Sequence, residues 1–438
     1  MEFKTYKLQE LIKIKNGKDH KVLKDGNFPV FGSGGIMRYV DSFLYDKPSV
    51  LLPRKGTLNN IQYTDEPFWT VDTLYYTEVN ENKANAYYLY NYLKLLDLSN
   101  LDSGTGVPSM TFDSYYNLSV NLPSLKVQNK IADILSHIDK KILINRQINR
   151  NLEELAKQIY DYWFVQFDFP NDEGKPYKSS GGKMIWNDVL KRKIPEGWED
   201  GYIGDLFQTQ PGFAFKSSDW KEVGHPVLTI KSINSDGAIN IENASFIDTF
   251  DIKYQKYSTT NGNMIFAMSG NTIGKIGLIS SDIDNILINQ RVLIIKTTLE
   301  DVAFPYFTIN DKKIQNLVFQ LGANSAQPNI SEEEFRSIKI CFPPKNLLKY
   351  YNQYCCHFFQ DIIKNRIEIS TLTKLRNNLL PLLMNGQVTL NSYLSYHPSY
   401  FFVKFFCGWV KAKKLTGTRT SSGAWGLIRS NAKNLTRT

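Results

Sequence analysis

Residues 126–167, KVQNKIADILSHIDKKILINRQINRNLEELAKQIYDYWFVQF, carry one uninterrupted helical pattern. Its seam positions alternate in steps of four and three, which is the spacing of a coiled coil. These seam residues are Ile131, Leu135, Ile138, Ile142, Asn145, Asn149 and Leu152. Because no proline lies between Pro123 and Pro170, the pattern predicts one helix of about 40 residues and roughly 60 Å. A helix longer than a small domain is wide acts as a spacer or a strut.

The same pattern returns 220 residues later. One offset superimposes Pro123 on Pro343, Asn145 on Asn365, Arg146 on Arg366 and Leu152 on Leu372. The seam of the second copy includes Ile362, Asn365 and Leu372. A single offset that serves every pair indicates a duplication.

An asparagine occupies the same seam position in both copies. A polar residue in an apolar seam fixes register or partner at a cost in stability. We therefore predict that the two helices pair with each other. In an antiparallel pair with centres near residues 147 and 367, Asn149 would face Asn365.

Each long helix follows a segment of short strand-like runs and Gly- or Asn-rich turns, and these segments also repeat. Leu8, Leu11 and Gly17 of the first segment return as Ile203, Leu206 and Gly212 of the second, at an offset of 195. The offset then grows to 220, so the ends of the segments are alike and their centres differ. A scaffold kept twice around a variable centre suits a protein that reads two different targets.

The predicted fold class is therefore α+β. Two mixed α/β domains stand in tandem, each followed by a long helix, and the two helices pair. The predicted boundaries are a first domain at 1–123, a central helix at 124–170, an exposed linker at 171–193, a second domain at 194–343, a distal helix at 344–388 and a tail at 389–438.

The net charge of +9 is concentrated in that tail. Residues 389–438 hold eight Lys or Arg and no Asp or Glu, which leaves 44 basic and 43 acidic residues before them. The tail shows neither helical nor strand periodicity, so we expect it to be disordered. A nucleic-acid-binding arm and a non-native extension both fit this basic tail, and we assign it no function.

Cysteine usage and hydropathy indicate a cytoplasmic protein. The four cysteines, Cys341, Cys355, Cys356 and Cys407, form no spaced CxxC pair or Cys/His cluster, which argues against a disulfide framework and a zinc site. The N-terminus lacks the apolar core of a signal peptide, and the longest apolar run, near residues 401–410, is broken by Lys404. We therefore expect no membrane association.

Residues 1 to about 388 resemble the specificity subunit of type I restriction-modification systems. The resemblance rests on the duplicated arrangement and on four stretches: QNKIADIL at 128–135 continuing to WF at 163–164, PEGW at 195–198, QPNIS at 327–331 and LLPLLMNG at 379–386. It implies that each variable domain is a target recognition domain that reads one half of a bipartite site in double-stranded DNA. It further implies that the two long helices pack antiparallel, as a coiled coil with pseudo-two-fold symmetry, and set the spacing between the halves.

The resemblance also implies partners and leaves the chemistry to them. Two methyltransferase subunits would dock on the helices, and restriction/translocase subunits would join that core. Adenine methylation with S-adenosylmethionine, and ATP- and Mg-dependent translocation and cleavage, would then be partner activities. For this chain the resemblance implies no cofactor, no metal and no catalysis.

The candidate DNA contacts are polar and basic residues of the two variable centres. Arg and Lys pair with guanine, Asn and Gln pair with adenine, and Ser, Thr and Lys also hold phosphates. The candidates are Arg54, Lys55, Thr57 and Asn59 in the first domain and Lys231, Ser269, Asn271, Lys275, Gln290 and Arg291 in the second. A solvated loop is the alternative for each. Gln290 and Arg291, flanked by apolar residues, also fit a strand in which one side chain is packed.

Two other functions were weighed against DNA recognition. A structural hub would use the helices for assembly and the globular domains for binding proteins. A nuclease in the same chain would need clustered acidic and Lys residues, which we do not find. The segment GSGG at 32–35 lacks the GxGxxG spacing of a phosphate-binding loop, and we predict a turn there.

Overall fold

The computed structural model describes residues 2–98, 108–323 and 328–388. The α-helices in these ranges are α1 (Ala86–Lys94), α2 (Phe112–Tyr116), α3 (Leu125–Tyr160), α4 (Ala303–Asn310), α5 (Lys312–Gly322), α6 (Glu332–Arg336) and α7 (Lys345–Met384). The strands of the first domain are β1 (Lys4–Lys7), β2 (Ile12–Asn16), β3 (Asp25–Gly32), β4 (Gly35–Val40), β5 (Ser49–Pro53), β6 (Gln62–Thr64), β7 (Trp69–Thr70), β8 (Leu74–Val79) and β9 (Ser119–Leu122).

The strands that follow α3 are β10 (Met184–Asn187), β11 (Arg192–Pro195), β12 (Glu199–Tyr202), β13 (Gln208–Pro211), β14 (Trp220–Lys221), β15 (His225–Leu228), β16 (Ser245–Ile247), β17 (Ser258–Thr259), β18 (Met264–Ala267), β19 (Ile276–Leu278), β20 (Ile286–Ile288), β21 (Val292–Lys296) and β22 (Lys339–Phe342). The described chain forms two compact units. One ends at Asp133 and includes the end of α7 from Leu379, and the other is Ile134–Asn378.

The two mixed domains share one sheet topology. In the first, the strand orders are β2-β8-β5-β6, β4-β3-β7 and β1-β9. In the second, β13-β21-β18-β19 matches the first of these sheets, β14-β16-β15-β20-β17 extends the second, and β12-β22 matches the third. A parallel pair sits at the same place in both domains, Val30 with Trp69 and Val227 with Leu287. The duplication predicted from the sequence is therefore a duplication of fold.

Buried strands and close backbone approach explain why these elements form where they do. Every residue of β5 and of β18 is buried, which fits their continuous apolar sequences. A Cβ at Gly17 would stand 2.1 Å from Val71 O, and a Cβ at Gly212 would stand 2.2 Å from Asn289 O. Only glycine fits at these matching positions, because any side chain would collide with a backbone carbonyl.

The long helices are shorter than their predicted spans. Helix α3 ends at Tyr160, and one π-helical turn, Asp161–Val165, follows it. Phe167 then takes a positive φ of 66°, and this left-handed backbone ends the helical path. The turn directs Phe164 into an aromatic cluster, 4.8 Å from the Phe304 ring and 4.9 Å from the Tyr351 ring. Helix α7 runs through Pro381 and stops four residues before Val388.

Within Ile134–Asn378, helices α3 and α7 pair in antiparallel orientation. Arg376 Nη1 donates to Asp139 Oδ1 at 2.8 Å, and at the other end Tyr351 Oη donates to Ala156 O at 3.2 Å. Residues near the start of one helix therefore meet residues near the end of the other. This confirms the antiparallel pairing and the α+β class.

The predicted linker at 171–193 is exposed along most of its length but is built into local structure. Ser179 donates to the Asp168 carboxylate through its backbone N at 2.7 Å and its Oγ at 2.6 Å. The rings of Phe169 and Tyr177 stack at 4.7 Å, and β10 pairs with β11. The Gly-, Lys- and Ser-rich composition suggested a linker, while contacts between residues about ten positions apart organise the segment.

A buried amide anchors the start of each long helix. Gln128, 1% exposed, accepts at Oε1 from Asn85 N at 3.0 Å and donates to Pro123 O at 2.9 Å. The second helix lacks glutamine at the matching position. There Asn352, one turn further along, accepts at Oδ1 from Phe304 N at 3.0 Å. A shorter amide on the next turn thus accepts a backbone N–H of its domain, as Gln128 does.

None of the described helices combines the length and apolarity needed to cross a membrane. Among the same residues, no three His, Cys, Asp or Glu side chains lie close enough to hold a metal ion.

Candidate nucleic-acid interface

Three loops of the first domain meet where strand β5 ends and strand β8 begins, in the β2-β8-β5-β6 sheet. Arg54 N donates to Thr73 O at 3.0 Å, Gly56 N donates to Pro108 O at 2.9 Å, and Met110 N donates to Arg54 O at 3.0 Å. The loop that leaves β5 is thereby tied to the turn before β8 and to the segment before α2. Chain segments separated by more than 50 residues become one surface.

The second domain repeats these bonds at matching positions. Met268 N donates to Arg291 O at 3.1 Å, Gly270 N donates to Pro328 O at 2.8 Å, and Ile330 N donates to Met268 O at 2.9 Å. We call residues 33–34, 54–60, 72–73 and 108–109 the first loop cluster, and residues 230–231, 268–275, 290–291 and 328–329 the second loop cluster. The two clusters have equivalent backbones and different side chains.

Both clusters turn on a glycine after the buried strand. Gly56 has a φ of +93° and Gly270 a φ of +74°, a left-handed conformation that residues with a side chain rarely adopt. The following residue begins the exposed part of each loop. The sequence places LLPRKG and MSGN at corresponding points of the two domains, and the shared hydrogen bonds pair Gly56 with Gly270.

A polar cleft of about 430 Å³ opens in the first loop cluster. Its lining residues are Ser33, Gly34, Gly56, Thr57, Asn59 and Asn60. Asn60 Nδ2 donates to Ser33 O at 2.5 Å, and Asn59 Oδ1 accepts from Leu98 N at 3.0 Å. Both amides are thus held in place, and the Nδ2 of Asn59 and the Oδ1 of Asn60 are the atoms not used in these bonds. The segment GSGG forms a hairpin turn, as predicted, but sequence reasoning missed that it lines this cleft.

In the second loop cluster an apolar side chain takes the place of Ser33. A Cβ at Gly56 would lie 3.7 Å from Ser33 Oγ, whereas a Cβ at Gly270 would lie 3.8 Å from Ile230 Cδ1. The next residue is Lys231, which is exposed and corresponds to Gly34. The two clusters therefore present different chemistry at this position.

The four candidates of the first domain lie together in the first loop cluster. Lys55, Thr57 and Asn59 are exposed, and Arg54 is half-buried. Arg54 Nη1 donates to Asp72 O at 3.2 Å, and its guanidinium carbon lies 6.0 Å from the centre of the Tyr75 ring. Burial raises the pKa of Tyr75. Part of the Arg54 guanidinium therefore holds the loops together. Of the two neighbouring cations, Arg54 and Lys55, Lys55 is the one whose side chain is exposed to a ligand.

Five of the six candidates of the second domain are exposed. They are Lys231, Asn271, Lys275, Gln290 and Arg291. The turn between β20 and β21 carries Gln290 and Arg291, so the alternative in which they lie in a strand is wrong. The apolar residues on either side belong to the two strands and had suggested a continuous run.

Ser269 differs from the other candidates because it is buried. It is 5% exposed, and its Oγ has no hydrogen-bond partner among the described residues. Its backbone pairs with Asn329 as Lys55 pairs with Ser109. Ser269 is therefore the inward-facing counterpart of Lys55, and it is not open to direct contact with DNA. Thr105 and Gln327, which belong to the same Gly/Pro loops as Ser109 and Asn329, lie outside the described residues.

The seam of α3 and α7 is buried and polar at its middle. The predicted helix-pairing residues Ile131, Leu135, Ile142, Asn145, Asn149, Ile362 and Leu372 are buried, and Leu152 and Asn365 are half-buried. Asn365 Nδ2 donates to Asn149 Oδ1 at 2.9 Å, and Asn149 Nδ2 donates to Ile362 O at 3.3 Å. Asn145 Nδ2 donates to Glu368 Oε2 at 2.8 Å. The asparagines bond across the pair and mark a single register. The histidines that the offset of 220 superimposes, His137 and His357, are exposed and lie outside the buried seam.

Comparisons with known proteins agree with the duplicated architecture. A family profile described as the type I restriction modification DNA specificity domain matches residues 1–154 and 195–379. The specificity subunit of the type I restriction enzyme MjaIX from Methanocaldococcus jannaschii is 22% identical over 352 residues, which are 79% of this chain and 78% of that protein. The HindI specificity subunit from Haemophilus influenzae is 25% identical over 334 residues, 65% of this chain and 72% of that protein.

A solved structure shares the fold. The crystal structure of the S subunit of a type I restriction-modification system from M. genitalium matches with a TM-score of 0.56 and 15% identity, covering 87% of this chain and 96% of that chain. Each of the two profile matches includes one mixed domain and most of the long helix that follows it.

Proposed function

Because the chain belongs to the type I restriction modification DNA specificity family, we propose that its two loop clusters each read one half of a bipartite DNA site. In this role the chain is the sequence-specificity subunit of a type I restriction-modification complex. The α3–α7 pair sets the distance between the two halves. Recognition is the task of this chain, and the complex acts in the cytoplasm on double-stranded DNA.

The observation that carries the proposal is the equivalence of the loop clusters. Lys55 and Ser269, Thr57 and Asn271, and Asp72 and Gln290 stand on matching backbone positions, which follow from the shared hydrogen bonds. One backbone frame thus carries two unrelated sets of side chains. A protein that reads two different half-sites requires this arrangement, whereas a hub that binds one kind of partner twice would keep the same side chains.

The exposed side chains favour particular base contacts. Gln290 and Arg291 are adjacent and exposed, and such groups form the paired contacts that identify adenine and guanine in the major groove. In the first loop cluster Lys55 can reach guanine or a phosphate. Asn59 already accepts a bond at Oδ1 from Leu98 N, so its Nδ2 is the group that we assign to base acceptors.

The near balance of charge in residues 1–388 points to partners. Phosphate contacts from Lys and Arg supply much of the affinity of DNA-binding proteins, and this chain has 44 basic against 43 acidic residues before the tail. We propose that two methyltransferase subunits dock on the helices and add these contacts, and that restriction/translocase subunits join them. S-adenosylmethionine, ATP and Mg²⁺ belong to those partners in this proposal.

The proposal is tested with the purified chain assembled with a methyltransferase subunit. A plasmid library with randomised sequence is methylated, and the modified sites are read by sequencing. We expect one motif made of two short specified halves separated by a fixed unspecified gap. Assembly with the methyltransferase but methylation without sequence preference would support the hub instead.

A further inference from the structure

Arg366 joins the helical pair to the second mixed domain. It lies on α7, and its side chain is 8% exposed. Its Nη2 donates to Glu153 Oε1 on α3 at 2.8 Å and to Asp236 O at 3.1 Å. Its Nη1 donates to Gly237 O at 2.9 Å. One guanidinium therefore bonds both helices and a loop of the domain at the same time, and its planar fork gives these bonds a fixed geometry.

The loop that Arg366 holds is closed by its own hydrogen bonds. Gly237 N donates to Asn234 O at 3.2 Å, and Asn234 N donates to Ala238 O at 3.0 Å. Gly237 has a φ of +69°, and a Cβ there would lie 3.3 Å from Ile276 O. The turn is closed by its own hydrogen bonds and packs against β19, so the position of its carbonyls depends on that strand.

A continuous chain of bonds links Arg366 to the second loop cluster. Gly237 O, which accepts from Arg366, also accepts from Leu278 N on β19 at 3.1 Å. Strand β19 begins at Ile276, immediately after Lys275 of the second loop cluster. Arg366 thus lies one carbonyl and one strand away from an exposed candidate for DNA contact.

The partner on α3 is the half-buried carboxylate of Glu153, whose side chain is 26% exposed. Burial raises the pKa of Glu153, and the guanidinium of Arg366 beside it acts in the opposite direction. Replacing both members of such an ion pair with apolar residues of similar volume is often neutral for stability. The matching arginine of the first repeat, Arg146, is exposed. The link is therefore a feature of the second domain.

We propose that Arg366 is a positioning residue that fixes the second loop cluster on the helical pair, so that the complex accepts one gap between the half-sites. This inference rests on the proposed function and adds a residue that controls spacing without touching DNA. Loss of the link lets the second domain rock on the helices and lets it meet half-sites at neighbouring distances.

The test uses the complex with its methyltransferase subunits and a plasmid library in which the gap varies by single base pairs. The variant Arg366→Met/Glu153→Met removes both charges and keeps the volume apolar, so we expect it to fold with little change in melting temperature. Its preference for the original gap over neighbouring gaps should fall roughly tenfold, because the loop of the domain loses both hydrogen bonds from Arg366, to Asp236 O and Gly237 O. Both half-site sequences should stay the same.

Two further variants make the result decisive. Arg366→Lys keeps the charge next to Glu153 but loses the fork to the two carbonyls, and it should widen the gap preference to a smaller extent. Arg146→Met is the matched control and should leave the gap preference unchanged. If the double variant does not fold, the lysine variant decides: a widened preference supports the inference, and an unchanged one overturns it.

Other outcomes separate this inference from the proposed function. A folded double variant that keeps the original gap preference contradicts a positioning role for Arg366, as does equal widening by Arg146→Met. If the wild-type complex itself methylates without a two-part motif, the proposed function fails and the gap experiment has no baseline.

Discussion

Single residues on matching backbone positions distinguish the two loop clusters. Gln290 stands where the first domain has Asp72, so an amide replaces an anion. Arg291 stands where it has Thr73, so a cation replaces a hydroxyl. An acidic residue at a DNA surface accepts from cytosine or repels phosphate, whereas Gln and Arg select purines. The half-sites should therefore differ in composition.

We predict that replacing Gln290 or Arg291 with alanine alters the second half-site alone. A lost paired base contact costs about 1–3 kcal/mol of discrimination at one position. Methylation of the randomised library should show relaxed preference at that base and an unchanged first half. Lys296→Ala, exposed at the far end of β21, is the control. Relaxation in both halves would point to misfolding or to a shared site.

Substitution by alanine should alter recognition at Lys55 and leave it unchanged at Ser269. Lys55→Ala removes an exposed cation and should weaken recognition of the first half-site. Ser269→Ala removes a buried hydroxyl without a partner among the described residues, so it should leave the second half-site unchanged and not lower stability. Half-site profiles and melting curves measure both effects. A changed half-site in Ser269→Ala would show that this hydroxyl turns outward on DNA.

The helical pair is the element whose register depends on two amides. We predict that Asn149→Leu and Asn365→Leu each lower the melting temperature, because each leaves the other amide without its partner, at a cost of about 1–3 kcal/mol. The double variant should melt higher than either single variant and above the wild type, while its register becomes less specific. A double variant that melts below both single variants would contradict the pairing of these residues in solution.

The elements that the sequence predicted well are those specified by a one-dimensional pattern. The seam spacing and the offset of 220 predicted α3 and α7, because each seam position constrains its own helix, whereas the antiparallel orientation followed from the family resemblance. Short apolar runs at 28–31, 49–52 and 73–76 likewise predict strands, and β3, β5 and β8 lie there within a few residues.

Contacts between distant segments were not accessible in this way. The cleft joins the turn at Ser33 to the loop at Asn60, and no local pattern relates these stretches. Ser269 was counted among the loop residues open to DNA, and the isolated β-bridge that holds its backbone lies 60 residues away at Asn329. The anchoring role of Gln128 passes to Asn352 one helical turn later, which a fixed offset cannot reveal.

For the whole molecule, charge predicts how it meets DNA. The described part of the chain is close to neutral, so we expect the isolated chain, truncated after Val388, to bind its site weakly at physiological salt. Addition of methyltransferase subunits should produce tight and specific binding with a steeper salt dependence. Mobility shifts at several salt concentrations measure this. Nanomolar binding by the truncated chain alone would contradict the prediction.

The central claim is that the helical pair measures the gap between the half-sites. It is tested most directly by lengthening both helices at opposed points, with four residues inserted between Lys140 and Lys141 and four between Thr373 and Lys374. The contact of Asp139 with Arg376 lies on one side of these points, and that of Asn145 with Glu368 lies on the other. Four residues add roughly 6 Å and turn the helix face by only about 40°, which a coiled coil accommodates.

The measurement is methylation of the plasmid library in which the gap is varied. DNA rises about 3.4 Å per base pair, so the preferred gap should lengthen by one or two base pairs while both half-site sequences stay the same. Paired insertions of two residues rotate the face by about 200° and should abolish activity. A four-residue variant that remains active and keeps the original gap would show that the helices do not set the spacing.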